Sequence, residues 1–141
     1  MNRFLVPAIA LGTAIGIGAT FVPETAHAAP ASFIQTCSEV AISSSTSSGA
    51  TITANCAKAN GVKIPASIRL KYVTNINGVL TYNPEDKDGS FAQSCSAVKF
   101  DPATAALSAR CKDARGILKP ATSLVIENIG NYNGVLKYDG E

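Results

Sequence analysis

The stretch that decides the fold is Asn77-Gly78-Val79-Leu80-Thr81-Tyr82, which the chain repeats as Asn133-Gly134-Val135-Leu136-Lys137-Tyr138. In each copy an Asn-Gly pair precedes a short apolar and aromatic run. Asn and Gly both tolerate positive φ, so the pair suits the two central positions of a type I′ turn. Each copy therefore predicts a β-hairpin.

The sequence upstream of each hairpin repeats as well. Ser32-Phe33-Ile34-Gln35-Thr36-Cys37 matches Ser90-Phe91-Ala92-Gln93-Ser94-Cys95, and Cys56 matches Cys111. The two copies are offset by 55 to 58 residues at both cysteines and at the turn. Such nearly constant spacing indicates the duplication of one unit, with the length differences confined to loops.

The first 28 residues have the pattern of a secretory signal peptide. Arg3 supplies a positive charge, an uncharged apolar or small run follows from Phe4 to Val22, and Ala26-His27-Ala28 fits a cleavage site. A retained membrane anchor is the alternative, but the three glycines of the run and the cleavage motif favour removal. We therefore expect a secreted protein that begins at Ala29 and is no longer membrane-bound.

The composition argues against several classes of function. The formal charge is +2 and stays +2 once residues 1–28, with Arg3 and Glu24, are removed. A charge this small and evenly spread does not favour nucleic acid or an anionic membrane as partner. Residues 29–141 contain no His, which is the usual base for a Ser or Cys nucleophile and a common zinc ligand. We therefore expect no enzyme activity and no zinc site.

Four cysteines in an exported chain of this size predict disulfide bonds. Three pairings are possible. The repeat favours Cys37–Cys56 and Cys95–Cys111, because a duplicated unit carries its own bridge.

Short strands are predicted between these landmarks in the first repeat. Residues 50–58 and 68–72 alternate apolar with polar side chains, as strands with one buried face do. A turn of helix is predicted at 35–37 and another starting at 65–67. The Ser/Thr-rich stretch 43–49 is predicted to be a solvated loop.

The second repeat predicts the same kind of elements. Residues 107–111 and 124–129 are predicted strands, and the charged stretch 83–89 is predicted to be a linker. The aromatic residues predicted to lie in the core or to pack against it are Phe33, Phe91, Phe100, Tyr72, Tyr82 and Tyr138.

The repeat also predicts the overall architecture. Repeat one spans about residues 32–82 and repeat two about residues 90–138 of a single domain, residues 29–141. A unit of about 50 residues is too small to bury a good core alone. The two units should share one core, which gives an all-β domain with pseudo-twofold symmetry.

One pattern occurs twice over about residues 32–138: S-F-x-Q-[TS]-C, then a second Cys, then N-G-V-L-x-Y. This doubled pattern resembles the cyanovirin-N homology family. The resemblance implies a lectin fold without metal or cofactor, in which each half is a triple-stranded sheet plus a β-hairpin and the repeats exchange elements. It also implies mannose-rich oligosaccharides or glycoprotein glycans as partners. A monomer or a domain-swapped dimer is the implied assembly, although the linker is longer here than in the best-known member.

The resemblance implies two sugar sites. Site 1 joins the start of repeat one to the end of repeat two. Its residues are Gln35, Thr36, Asn131, Tyr132 and Asn133, with Ser32, Ala57 and Ala59 at other matching positions. Site 2 joins the start of repeat two to the hairpin of repeat one. Its residues are Thr74, Asn75, Asn77, Gln93 and Ser94, with Ser90, Lys112 and Asp113 around them.

Both sites depart from the family pattern. The best-known member has acidic residues where Thr74, Asn77, Gln93, Asn133 and Ala57 stand. Amides can still accept one sugar hydroxyl and donate to another, whereas an Ala side chain can do neither. We therefore expect site 2 to be the better binder. Because turn chemistry alone selects Asn before Gly, a secreted structural or protein-binding module with little sugar affinity is the alternative function.

Overall fold

The computed structural model describes residues 31–141, so the predicted signal peptide and its cleavage point lie outside the described residues. Two 3₁₀ helices are Ser32–Gln35 and Ser90–Gln93. Repeat one contributes β1 (Cys37–Ser45), β2 (Gly49–Ala57), β3 (Lys63–Arg69), β4 (Val73–Ile76) and β5 (Val79–Tyr82). Repeat two contributes β6 (Cys95–Asp101), β7 (Ala106–Cys111), β8 (Thr122–Val125), β9 (Ile129–Tyr132) and β10 (Val135–Tyr138). No helix in this part of the chain is long and apolar enough to cross a membrane.

The strands form two triple-stranded sheets and two hairpins. β1-β2-β3 and β6-β7-β8 are antiparallel sheets, and β4-β5 and β9-β10 are two-stranded hairpins. The predicted all-β, pseudo-symmetric fold is confirmed.

The two hairpin turns have the predicted backbone. Asn77 and Gly78 have φ of 52° and 93°, and Asn133 and Gly134 have φ of 55° and 89°. Positive φ at both central residues defines the type I′ turn and matches the twist of the flanking strands.

Each sheet begins at its own disulfide. Cys37 lies opposite Cys56 across β1 and β2, and Cys95 lies opposite Cys111 across β6 and β7. The bridges Cys37–Cys56 and Cys95–Cys111 are both formed, so the pairing favoured by the repeat is confirmed. A bulge follows the first cysteine of each pair, and it repeats too.

The repeats exchange their hairpins. Hairpin β4-β5 packs against β8 and the second 3₁₀ helix, while β9-β10 packs against the first 3₁₀ helix and β3. Besides Cys56 and Cys111, the largest fully buried side chains of the single core come from both repeats: Phe33, Ile52, Leu70, Phe91, Leu107 and Ile129. Because neither repeat keeps its hairpin, each half of the core contains residues of both.

Several local predictions were wrong. Residues 65–67 are not helical: they lie in β3, where Pro65 pairs with Asn55. β3 is an edge strand, and an edge tolerates the missing N–H of proline. The first helical turn lies at Ser32–Gln35 rather than at 35–37. The stretch 43–49 is mostly strand, because β1 and β2 extend to a turn at residues 46–48.

Two predicted strands end earlier than expected, at equivalent points. β3 stops at Arg69 and β8 at Val125, because Tyr72 and Asn128 adopt positive φ of 67° and 64° and redirect the chain into the hairpins.

The exposure of the tyrosines matches the predicted packing only in part. Tyr82 is 53% exposed rather than packed, whereas Tyr138 is 5% exposed.

Candidate functional site

Asn75 holds site 2 together. Its amide nitrogen donates to Ser94 Oγ and to the carbonyl of Lys112, both at 2.8 Å. Its amide oxygen accepts from the backbone N–H of Gly78 at 2.8 Å. The side chain therefore ties the hairpin of repeat one to two segments of repeat two, and both of its N–H groups are used inside the protein.

Asn131 plays the same part in site 1. Its amide nitrogen donates to Thr36 Oγ1 at 3.0 Å and to the carbonyl of Ala57 at 2.8 Å. Its oxygen accepts from the N–H of Gly134 at 2.7 Å. The site residues that the resemblance drew from opposite repeats do meet here.

The turn asparagines fix the loops beside the hairpins. Asn77 Oδ1 accepts from the N–H of Ala114, and Asn133 Oδ1 accepts from the N–H of Ala59, both at 2.8 Å. Within residues 31–141 neither amide nitrogen has a hydrogen-bond partner. Each turn therefore presents one spare donor pair beside a rigid loop.

Glutamines and hydroxyls supply further spare groups. Gln35 and Gln93 are exposed at the ends of the 3₁₀ helices, and neither side chain bonds to another described residue. Thr36 and Ser94 follow them and accept from the framing asparagines, so each keeps its own O–H to donate. Ser32 is exposed at the start of the first helix.

Thr74 and Ser90 are joined to the linker. Ser90 donates its hydroxyl to Asp86 Oδ2 at 2.6 Å. Because that proton is used, Thr74 is the donor in the 3.2 Å contact between its Oγ1 and Ser90 Oγ. Both hydroxyls are half-buried, and we assign them to anchoring the linker more than to an open site.

The charged residues of site 2 differ from each other. Lys112 is exposed, and its side chain has no ion-pair partner within the described range. The Asp113 carboxylate is 6% exposed and accepts from the N–H groups of Arg115 and Ile117 at 2.9 and 3.0 Å. The bond from the Ile117 N–H is the main cause that lowers the pKa of Asp113. Asp113 therefore stays ionised and shapes its own loop.

Tyr132 lies along the outer face of hairpin β9-β10. Its ring covers Gly130, its hydroxyl donates to Asp139, and Lys137 Nζ lies 5.3 Å from the ring centroid. The donation to Asp139 raises the pKa of Tyr132. This placement differs from that of Asn131 and Asn133, whose amides face the first repeat.

Two lysines that the sequence did not indicate, Lys58 and Lys119, lie beside the two sites. A Cβ added to Gly134 would come within 3.1 Å of Lys58 Cγ, and one added to Gly78 within 2.6 Å of Lys119 Cγ. Each turn therefore has a lysine stem beside it. The register of the strands sets these approaches, and no local motif marks them.

The two sites together offer neutral hydrogen-bonding groups on a fixed frame. The spare groups occur in matched pairs, Gln35 with Gln93, Thr36 with Ser94 and Asn133 with Asn77. Ala57 and Ala59 contribute to site 1 through backbone atoms that the asparagines already use. Such an arrangement can bind a polyhydroxylated ligand without burying a full charge.

Comparison with known proteins gives a family and a fold. The CVNH domain family matches residues 33–137. No curated protein sequence matches the chain.

Solved structures share the fold at low identity. TbCVNH from T. borchii aligns with a TM-score of 0.61 at 21% identity, covering 77% of this chain and 99% of its own. Microvirin in a mannobiose complex aligns at 0.58 and 24%, covering 77% and 98%. A MoCVNH3 variant in complex with (N-GlcNAc)4 aligns at 0.62 and 16%, covering 79% and 99%.

Proposed function

The chain belongs to the CVNH domain family, and from that premise we propose that it is a secreted lectin that binds mannose-type oligosaccharides without metal at sites 1 and 2. Binding and not catalysis is the proposed activity. Residues 29–141 contain no His to serve as a base.

The observation that carries the proposal is the pairing of spare groups across the repeats. Asn75 and Asn131 donate both amide N–H groups to other residues of the protein. The amide N–H groups of four other residues have no partner in the described chain: Asn77, Asn133, Gln35 and Gln93. A sugar presents vicinal hydroxyls that each donate and accept, and amides complement them. Groups held by rigid turns lose little conformational entropy on binding.

Lys112 supports the ranking of the two sites. It gives site 2 an exposed cationic donor, where site 1 has Ala57 at the equivalent position. We therefore propose site 2 as the better binder. Export is part of the proposal as well, because two disulfides suit an oxidising compartment.

Titration calorimetry of residues 29–141 with mannobiose, a mannose-rich oligosaccharide and chitotetraose tests the proposal. The two neighbours solved with sugars hold mannobiose and (N-GlcNAc)4, so both classes belong in the panel. We expect heat with the mannose ligands. Gln93→Ala should weaken binding more than Gln35→Ala, each by on the order of three- to tenfold at its own site.

Lys99→Ala is the matched control, since Lys99 is exposed on β6 outside both sites. It should leave binding unchanged. Heat with chitotetraose alone would overturn the mannose assignment, and no heat with any sugar at about 10 mM would overturn the lectin proposal.

A protein-binding module is the second candidate, and the outer faces of the hairpins favour it. Ile76 lies opposite Val79 on hairpin β4-β5, and Tyr132 lies opposite Val135 on β9-β10. All four are 46% to 56% exposed. This candidate applies if the sugars give no heat. The double variant Ile76→Ser/Val135→Ser, which removes an exposed apolar side chain from each hairpin, should then abolish binding of a protein partner.

A further inference from the structure

A cleft of about 530 Å³ lies between the repeats, away from both hairpin sites. One wall comes from the end of hairpin β4-β5 and the linker, with Tyr72, Tyr82 and Lys87. The other comes from β8 and the residues that follow it, with Val125 and Glu127. No residue of site 1 or site 2 lines this cleft, and its size is that of small-molecule sites.

The cleft is preformed, because the linker is tied to Tyr72. The N–H of Tyr72 donates to the carbonyl of Asp86, and the N–H of Asn83 donates to the carbonyl of Tyr72, both at 2.7 Å. The Tyr72 hydroxyl donates to Glu141 at 2.8 Å. Ligand binding would therefore cost little conformational entropy in ordering these walls.

Tyr82 offers an unused aromatic face in the cleft. Tyr72 and Tyr138 pack edge-on at 5.1 Å, and Lys71 and Lys87 Nζ lie within 6 Å of the Tyr72 centroid. Tyr82 is 53% exposed, has no cation over its ring among the described residues, and only tilts against Tyr72 at 6.3 Å. Val125, which is 44% exposed, adds an aliphatic surface across the cleft.

The charges in the cleft favour a neutral ligand. Among the charged residues that line the cleft, Lys71 pairs with Glu141 at 3.1 Å and Asp139 accepts from the Tyr132 hydroxyl. That leaves Lys87 and Glu127, of opposite sign, as the charged side chains without a partner in the described chain. An anionic ligand would be attracted by Lys87 and repelled by Glu127, and a cationic ligand would experience the reverse. A hydroxyl satisfies both, because it accepts from an ammonium group and donates to a carboxylate.

We propose that this cleft is a third binding site, for a single neutral pyranose ring whose C–H face packs on Tyr82 while its hydroxyls meet Lys87 and Glu127. A sugar ring has the required apolar face and hydroxyl edge. The ligand class is shared with the proposed function, but the residues are not, so either proposal can fail without the other.

A titration followed by ¹H–¹⁵N correlation spectra tests this site, with the methyl pyranosides of mannose, N-acetylglucosamine and galactose as probes. We expect at least one of the three to shift the amides of Tyr82, Val125 and Glu127 with a dissociation constant in the millimolar range. The Tyr82→Ala variant should weaken that binding about tenfold. Val62→Ala, which truncates an apolar side chain that is 56% exposed and lies outside the cleft and both hairpin sites, should not change it.

A second variant separates this site from the hairpin sites. In Gln35→Ala with Gln93→Ala the cleft shifts should persist at the same affinity while the shifts at the hairpin turns weaken. The proposal is overturned if no probe shifts the amides of Tyr82, Val125 and Glu127 up to about 50 mM, whether or not amides of sites 1 and 2 move. It is overturned equally if Tyr82→Ala, folded by its spectrum, binds as the parent does.

Discussion

At the scale of single residues, the polar side chains of the two sites divide into those that bond within the protein and those without a partner in the described chain. Asn75 and Asn131 are saturated by internal bonds, whereas Gln35 and Gln93 have no partner in the described range. All four side chains are exposed or half-buried amides, so their shared functional group does not distinguish the two sets. The distinction arises from the tertiary contacts, since Asn75 and Asn131 donate to residues of the opposite repeat.

Tyr138 shows how one hydroxyl joins the two repeats. It is almost fully buried, and its oxygen accepts from the N–H of Lys71 at 2.7 Å. Tyr138→Phe leaves that N–H without its partner, so we expect a loss of about 1–3 kcal/mol in the free energy of unfolding by urea titration. Tyr82→Phe is the control, because its exposed hydroxyl has no partner among the described residues. Equal stability of the Tyr138→Phe protein and its parent would contradict the role assigned here.

The same residue predicts an alkaline transition. Burial raises the pKa of Tyr138 from 10.0 to about 12, and the negative groups near it act in the same direction. The folded state therefore holds the phenol proton more tightly than the unfolded state. The stabilisation is complete below pH 10 and is lost as the pH rises toward about 12. Tyr138→Phe should flatten the fall of stability over this range, measured by urea unfolding at successive pH values, and an unchanged slope would count against it.

At the scale of elements, the linker is a packed part of the structure. Gly89 precedes the second 3₁₀ helix with φ of 64°, and a Cβ there would lie 2.1 Å from the carbonyl oxygen of Leu70. That oxygen belongs to the backbone, so it cannot rotate away. The close approach fixes where repeat two begins relative to the end of β3.

Gly89→Ala should therefore be much more destabilising than an ordinary glycine substitution at positive φ. Gly116 is the matched control, with φ of 82° and nothing within 4 Å of an added Cβ. We expect Gly116→Ala to cost about 1–2 kcal/mol from backbone conformation alone. Gly89→Ala should cost roughly 1–3 kcal/mol more from the clash. Thermal or urea unfolding measures both, and equal losses would show that the backbone yields at Gly89.

At the scale of the whole molecule, the exchange of hairpins makes the repeats interdependent. Each hairpin packs on the opposite repeat, and the core contains Phe33 and Phe91 from both. A repeat on its own would expose the face that the foreign hairpin covers. A chain of about 60 residues buries only about 60% of the surface that it exposes when unfolded, so its stability is marginal even before that loss.

Separate fragments test this interdependence. Residues 31–88 and 89–141, each with its own disulfide, should show no cooperative thermal unfolding alone. An equimolar mixture should recover it, because each fragment supplies the hairpin that the other lacks. Circular dichroism during heating gives both measurements. Cooperative unfolding of either fragment by itself would contradict the shared core.

The sequence by itself determined the features that depend on neighbouring residues or on the duplication. Asn before Gly specified both type I′ turns, since few other pairs accept positive φ twice. The repeated Cys positions favoured, among three possible pairings, the two bridges that form, and the alternation in residues 50–58 predicted β2. Local patterns gave the wrong element at Pro65, which lies in a strand because an edge strand tolerates proline. They gave the wrong strand end at Tyr72, because this tyrosine adopts positive φ.

Only the tertiary structure decided which amides remain available and what lies between the repeats. The bonds that the amide nitrogens of Asn75 and Asn131 donate span 19 to 95 residues of chain, and the cleft beside Tyr82 joins the linker to β8. Nothing in the neighbouring residues encodes such distances. They follow from two repeats that bury one core by exchanging hairpins, and that exchange is a property of the packed molecule.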